Sequence, residues 1–254
     1  MNVRHGLLLF AAAFVLSSCS GVPKPKPATL KDFTPSLKAS VAWKVDLGRA
    51  AKAAGAGGQF IPVVSGDAVY AASASGTVSK ISLADGKVIW RAPIGAPLVT
   101  GIAVGSGSAE GVTAVVNDRA ELVILSADGK IERRIPTGGV VLESPVLAGS
   151  TAVMRLADNR VAGFDIVTGN RRWVLQRNLP TLVLHGQSGM RVQARPAEES
   201  ASATLGPADV LVNMPGGRLL WLDAASGAVR WVCTVRGAGV TEAWCGNRFA
   251  AETG

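Results

Sequence analysis

Residues 76–90 read GTVSKISLADGKVIW, and the outline returns three times: RAELVILSADGKIER at 119–133, NRVAGFDIVTGNRRW at 159–173 and GRLLWLDAASGAVRW at 217–231. Each copy has an apolar residue five places before a fixed glycine (Ile81, Ile124, Phe164, Leu222). Each ends four places after it, at Trp90, Arg133, Trp173 or Trp231. The glycines are Gly86, Gly129, Gly169 and Gly227, and they fall 43, 40 and 58 residues apart. Asp85-Gly86, Asp128-Gly129, Thr168-Gly169 and Ser226-Gly227 are hairpin connections, because glycine takes a positive φ at little cost. Beyond each glycine, alternate positions are apolar: Val88, Trp90, Ala92 and Ile94 in the first copy, and Val229, Trp231, Cys233 and Val235 in the fourth. That period of two marks a strand with one buried face.

Further strand-like runs precede each hairpin, FIPVV and DAVYAAS before the first, SPVLAG and TAVMRLA before the third. A unit of about 40 residues with four short antiparallel strands is the sequence form of a β-propeller blade. The expected fold is therefore all-β, with blades near 58–96, 98–138, 140–178 and 180–237 and an atypical tail over 238–254. Trp43-Lys44-Val45-Asp46-Leu47 matches the outer-strand register of Trp90 to Ile94 with no blade before it, so residues 41–47 read as an orphan outer strand. The longer third interval includes QARPAEESASATLG, an exposed excursion. With four hairpin units and an irregular end, the chain reads as C-terminally truncated.

Composition sets outer limits. Charged residues are 17%, apolar residues 48%, and there are 30 glycines, a β-rich globular mix. The formal charge of +8 is scattered through the chain, with no basic run beside stacked aromatics, which speaks against a nucleic-acid partner. At the N-terminus, Arg4 precedes LLLFAAAFVL (7–16), too short to span a bilayer and typical of a secretion signal. Leu16-Ser17-Ser18-Cys19 resembles the bacterial lipoprotein box, which implies cleavage after residue 18 and acylation of Cys19. Residues 19–40 then hold several prolines and read as an extended tether. At about 3 Å per residue it reaches up to about 60 Å.

The repeat L-D-A-x-(T/S)-G-x-x-x-W, clearest as LDAASGAVRW, resembles the pyrroloquinoline-quinone-type propeller repeat. In that fold Trp90, Trp173 and Trp231 would be wedges between blades, with Arg133 marking a wedge lost or replaced. Lipobox, tether, AWKVDLG and repeats in this order resemble the BamB family of outer-membrane assembly factors, lipoproteins whose ring has eight blades. The resemblance implies a non-catalytic scaffold without cofactor or metal, lipid-anchored to the outer membrane and facing the periplasm. It also implies binding of the barrel-forming subunit of the assembly complex, and contact with nascent outer-membrane proteins.

One connection sharpens the resemblance. TLVLHGQS (181–188) follows Pro180 and sets Leu182, Val183 and Leu184 at a solvent-facing rim. Either these residues fold back as a short strand or plug under the excursion, or they resemble the family's L-x-L-R-G-E-S loop, which contacts the barrel-forming subunit. In the second reading Leu182 and Leu184 match the leucines, and His185 stands where the family has arginine, leaving only a pH-dependent charge. The rival classes are a quinoprotein dehydrogenase and a generic lipid-anchored binding propeller. The dehydrogenases' adjacent-cysteine disulfide is excluded, since Cys233 and Cys245 are twelve apart, and His5 and His185 are the two histidines. The acidic residues Asp85, Asp128, Asp165 and Asp223 read as hairpin caps. Cys233, in a core-facing repeat position, reads as a buried free thiol.

Overall fold

The structure, a computed structural model, describes residues 40–48, 60–141, 143–176, 189–194, 208–215 and 218–234. All secondary structure among these lies in the unit Ala42–Gly254. Blade 1 comprises β1 (Val63–Ser65), β2 (Ala68–Ser73), β3 (Thr77–Ser82) and β4 (Val88–Pro93). Blade 2 comprises β5 (Ala103–Val104), β6 (Thr113–Val116), β7 (Glu121–Leu125) and β8 (Ile131–Pro136). Blade 3 comprises β9 (Val146–Ala148), β10 (Thr151–Arg155), β11 (Val161–Asp165) and β12 (Arg171–Leu175). Blade 4 comprises β13 (Met190–Ala194), β14 (Ala208–Met214), β15 (Arg218–Asp223) and β16 (Val229–Thr234). Each is a four-stranded antiparallel sheet paired in chain order. The inner strands β1, β5, β9 and β13 lie beside one another in sequence. The fold is a β-propeller arrangement of consecutive blades.

Sequence and burial agree strand by strand. The middle strands TAVV (β6) and LVIL of β7 are buried on both faces, because each blade is sandwiched between neighbours. Such strands read as unbroken apolar runs. The outer strand β8, IERRIP, is mostly exposed, with Ile135 pointing inward. Three apolar clusters follow, and each straddles a blade junction. Tyr70 and Val78 of blade 1 join Val123 and Leu125 of blade 2. Ile124 and Leu122 join Phe164 and Ala162 of blade 3, and Val153 and Val161 join Leu220 and Leu222 of blade 4. Each fully buried aliphatic side chain contributes about 1.5–3 kcal/mol.

The register corrects one equivalence. The bonded partners after the outer-strand bulge are Ile81↔Val88, Leu125↔Ile131, Phe164↔Arg171 and Leu222↔Val229. Leu125, not Ile124, is thus the blade 2 counterpart of Ile81. The cause is the turn. Gly86, Gly169 and Gly227 donate their N–H four residues back, to the Ser82, Asp165 and Asp223 carbonyls, whereas Gly129 reaches only three back, to Ser126. The blade 2 hairpin is one residue tighter, so its inward and outward residues exchange faces relative to the glycine.

Two further expectations change. Residues 41–48 form no strand, although Trp43, Val45 and Leu47 alternate as half-buried against exposed neighbours. No sheet partner for them lies among the described residues. Cys233 is disulfide-bonded and half-exposed, not a buried free thiol; its bonded partner lies outside the described residues.

Candidate functional site: blade junctions and the rim connection

The β1–β2 and β3–β4 type turns share one face of each blade. The β2–β3 type turns and the blade-to-blade connections share the other. On the first face a side chain from each of the outer strands β4, β8 and β12 lies across the next blade's hairpin glycine. Trp90 covers Gly129, and a Cβ built there would stand 2.6 Å from the ring. Its Nε1–H donates to the Ala127 carbonyl at 2.9 Å. Trp173 covers Gly227 in the same way and donates to the Ala224 carbonyl at 3.0 Å. Trp43 performs the role for Gly86, with its Nε1–H on the Leu83 carbonyl at 3.0 Å. Residues 43–47 therefore act as a wedge on blade 1 even without a strand.

The junction between blades 2 and 3 is built differently. Arg133 lies over Gly169, its Cδ 3.0 Å from where a Cβ would be, and Nη1 reaches the Thr168 carbonyl at 3.5 Å. Its alkyl stem replaces the flat ring. Beside it a cleft of about 460 Å³ opens, lined by Ala109, Val112, Glu132, Arg133, Ser150, Ile166 and Val167. Trp231 stacks on Trp221 of its own blade, ring centroids 5.3 Å apart, and no further glycine hairpin faces it among the described residues.

A second set of contacts was not legible beforehand. Arg134 donates from Nη2 to the Ile94 carbonyl of blade 1 at 2.6 Å, and Arg91 reaches the Asp46 carbonyl at 2.5 Å. Blades 3 and 4 carry Val174 and Val232 at this position, both exposed. An arginine directly after the wedge residue was the available signal.

The hairpin acids act locally. Asp165 Oδ1 accepts the Val167 and Thr168 N–H at 2.8 and 2.9 Å, while Oδ2 accepts from Arg172. Burial raises the Asp165 pKa, but the Thr168 N–H, the Arg172 guanidinium and the Val167 N–H together hold it below the ordinary carboxylate value. Asp223 receives the Ala225 and Ser226 N–H, and Asp85 that of Lys87. Among the described residues no group of His, Cys, Asp and Glu is placed to hold a metal.

Cys19, Leu182, Leu184 and His185 lie outside the described residues, and of the 177–188 connection only the roots are placed, on the opposite face of the blades. Leu175, ending β12, and Met190, opening β13, both pack in the cluster between blades 3 and 4. Met190 pairs with Val212, and the next residue, Asn213, accepts Arg155 Nη1 on its carbonyl at 2.8 Å. Arg155 also forms an ion pair with Glu143, their side chains 11% and 6% exposed. A buried pair of this kind fixes geometry more than it stabilises. The pair holds Arg155 in place, and its bond to the Asn213 carbonyl ties blade 3 to blade 4 beside one root of the connection.

A profile of the family described as outer membrane protein assembly factor BamB matches residues 35–101 and 97–253. The chain belongs to the BamB family. The BamB of Bordetella pertussis is 31% identical over 92% of this chain and 57% of its own length. That of Burkholderia pseudomallei is 30% identical over 91% and 56%. The chain therefore spans a little over half the length of these relatives. Among solved structures, BamB from Moraxella catarrhalis superposes with a TM-score of 0.56 at 20% identity, covering 70% of this chain and 50% of that one, which supports the propeller fold. Among the described residues no helix is long and apolar enough to cross a membrane.

Proposed function

We propose that this BamB-family chain is a non-catalytic scaffold in outer-membrane protein assembly. In this reading Cys19 is acylated and holds the blades on the periplasmic side of the outer membrane. The 177–188 connection presents Leu182, Leu184 and His185 to the barrel-forming subunit, and nascent outer-membrane proteins are the cargo.

The observation that carries the reading is the anchoring of Leu175 and Met190 in one apolar cluster, on either side of a stretch holding three consecutive aliphatics. Aliphatic residues between fixed roots are costly unless a partner covers them. A few such anchors dominate the energy of a typical interface. Replacing Leu182 and Leu184 together by Ser is expected to abolish co-purification with the barrel-forming subunit while the β-rich circular dichroism stays unchanged. Undiminished co-purification, or unfolding along with loss of binding, returns the stretch to a structural role. A Cys19→Ser chain is expected to lose the acylated, membrane-bound form, and its persistence refutes the anchor.

A further inference from the structure

The blades can be compared along one cross-strand row, read from the second strand to the fourth. In blade 1 the row is Tyr70, Lys80, Trp90, in blade 2 Ala114, Ile124, Arg133, and in blade 3 Val153, Gly163, Trp173. Each row faces the next blade. Tyr70 and Trp90 meet edge to face, 6.3 Å between centroids, and fill the first junction with aromatic rings. Trp173 is sandwiched between Gly163 of its own sheet and Gly227 of the next. Blade 2 carries no ring in its row, and the cleft of about 460 Å³ lies at this junction. That volume falls within the range of ligand clefts, roughly 300–1,000 Å³.

We propose that the cleft between blades 2 and 3 receives an aromatic side chain from a polypeptide segment, beside the Arg133 stem that stands where the neighbouring junctions carry their own rings. The observations supply both the shape and the chemistry. Ala109, Val112, Ile166 and Val167 give an apolar lining, and Val167 is 66% exposed at the mouth. The Arg133 guanidinium offers a face for stacking, a contact suited to rings and not to aliphatic side chains. The Ile166 carbonyl stands three residues before its glycine, as do Leu83 and Ala224, the acceptors for Trp43 and Trp173. It is the counterpart acceptor for an incoming indole or phenol. Glu132 and Arg133 give the rim one charge of each sign, so the ring, not a net charge, selects the segment. The site stands independently of the contact proposed for Leu182, Leu184 and His185.

The test uses the full chain and three small probes, N-acetyl-tryptophanamide, N-acetyl-tyrosinamide and N-acetyl-leucinamide, titrated by NMR with the Arg133 side-chain resonance and the Val167 methyls as reporters. Both aromatic probes are expected to bind at these reporters about three- to fivefold more tightly than the leucine probe, the ratio that a partly exposed cation–π contact supplies. Arg133→Trp, which gives blade 2 the wedge of its neighbours, is expected to weaken the aromatic probes about tenfold or more, followed at the Val167 methyls. Val167→Trp changes an exposed position, tolerates folding, and is expected to block the mouth equally. Equal binding of all three probes, no shift at either reporter, or undiminished binding in a folded Val167→Trp chain overturns the proposal.

Discussion

The junction between blades 1 and 2 and the junction between blades 2 and 3 use one architectural position for different ends. In the first, the Trp90 ring lies against Gly129, donates to a backbone carbonyl, and is met by Tyr70. In the second, the Arg133 stem lies against Gly169, with a long contact to Thr168 and a cleft beside it. A flat ring requires the absent Cβ of the opposing glycine, because its atoms cannot move aside. A flexible arginine yields by rotating. The first junction is therefore a rigid lock, and the second is a compliant one with room for an occupant.

Removing the wedges measures the difference most directly. Trp173→Ala deletes a large half-buried ring from the third junction and is expected to cost about 3 kcal/mol, the low end for tryptophan deletion. Arg133→Ala removes only a stem and a long hydrogen bond, with an expected cost of about 1 kcal/mol or less. Urea unfolding of the two variants checks this, and comparable losses erase the distinction between lock and compliant junction.

The glycines give a second, smaller contrast. Gly129 and Gly169 share φ near +79° and +80°, so alanine carries the same backbone cost at both, about 1–2 kcal/mol. At Gly129 the new methyl also meets Trp90 at 2.6 Å, whereas at Gly169 it meets a movable Arg133 carbon at 3.0 Å. Gly129→Ala is expected to exceed Gly169→Ala by about 1–2 kcal/mol, the cost of overpacking. Thermal unfolding of both variants reads the gap, and equal melting temperatures break the account of Trp90 as a rigid lock.

Much of this was legible before any coordinates. Recurrent hairpin glycines with an apolar period of two specify four-stranded units, and tryptophan at the fourth place after glycine names the residue that crosses the junction. The one-residue slip in blade 2 was also written in the chain. The polar residue heading the turn stands four before the glycine in Ser82, Asp165 and Asp223, but three before it in Ser126. Aligning on the apolar residue instead hides the shift, because Ile124 and Leu125 are both apolar and both buried. Arg134 and Arg155 were not legible as ties between blades. Their acceptors are the backbone carbonyls of Ile94 and Asn213, which no side-chain pattern announces.

The smallest effect concerns acid. Asp165 heads the hairpin that Arg133 covers, and its counterpart in the locked junction is Ser126, which has no charge to lose. In the folded chain the Asp165 pKa lies below its ordinary value, with burial opposing and the Thr168, Arg172 and Val167 donors prevailing. The folded state therefore binds this proton less readily than the unfolded state does. Its stabilisation is fully present above the unfolded value of about 3.9 and is lost as pH falls through the lower folded value. Asp165→Asn is expected to be less stable than the parent at pH 7 and to lose less stability between pH 5 and pH 3. Amide exchange at Val167 and Thr168, whose N–H groups bond Oδ1 at 2.8 and 2.9 Å, is expected to accelerate on acidification in the parent more than in the variant. Parallel acid limbs and parallel exchange in the two chains assign the acid response to other carboxylates. They also remove any pH dependence from the compliant junction.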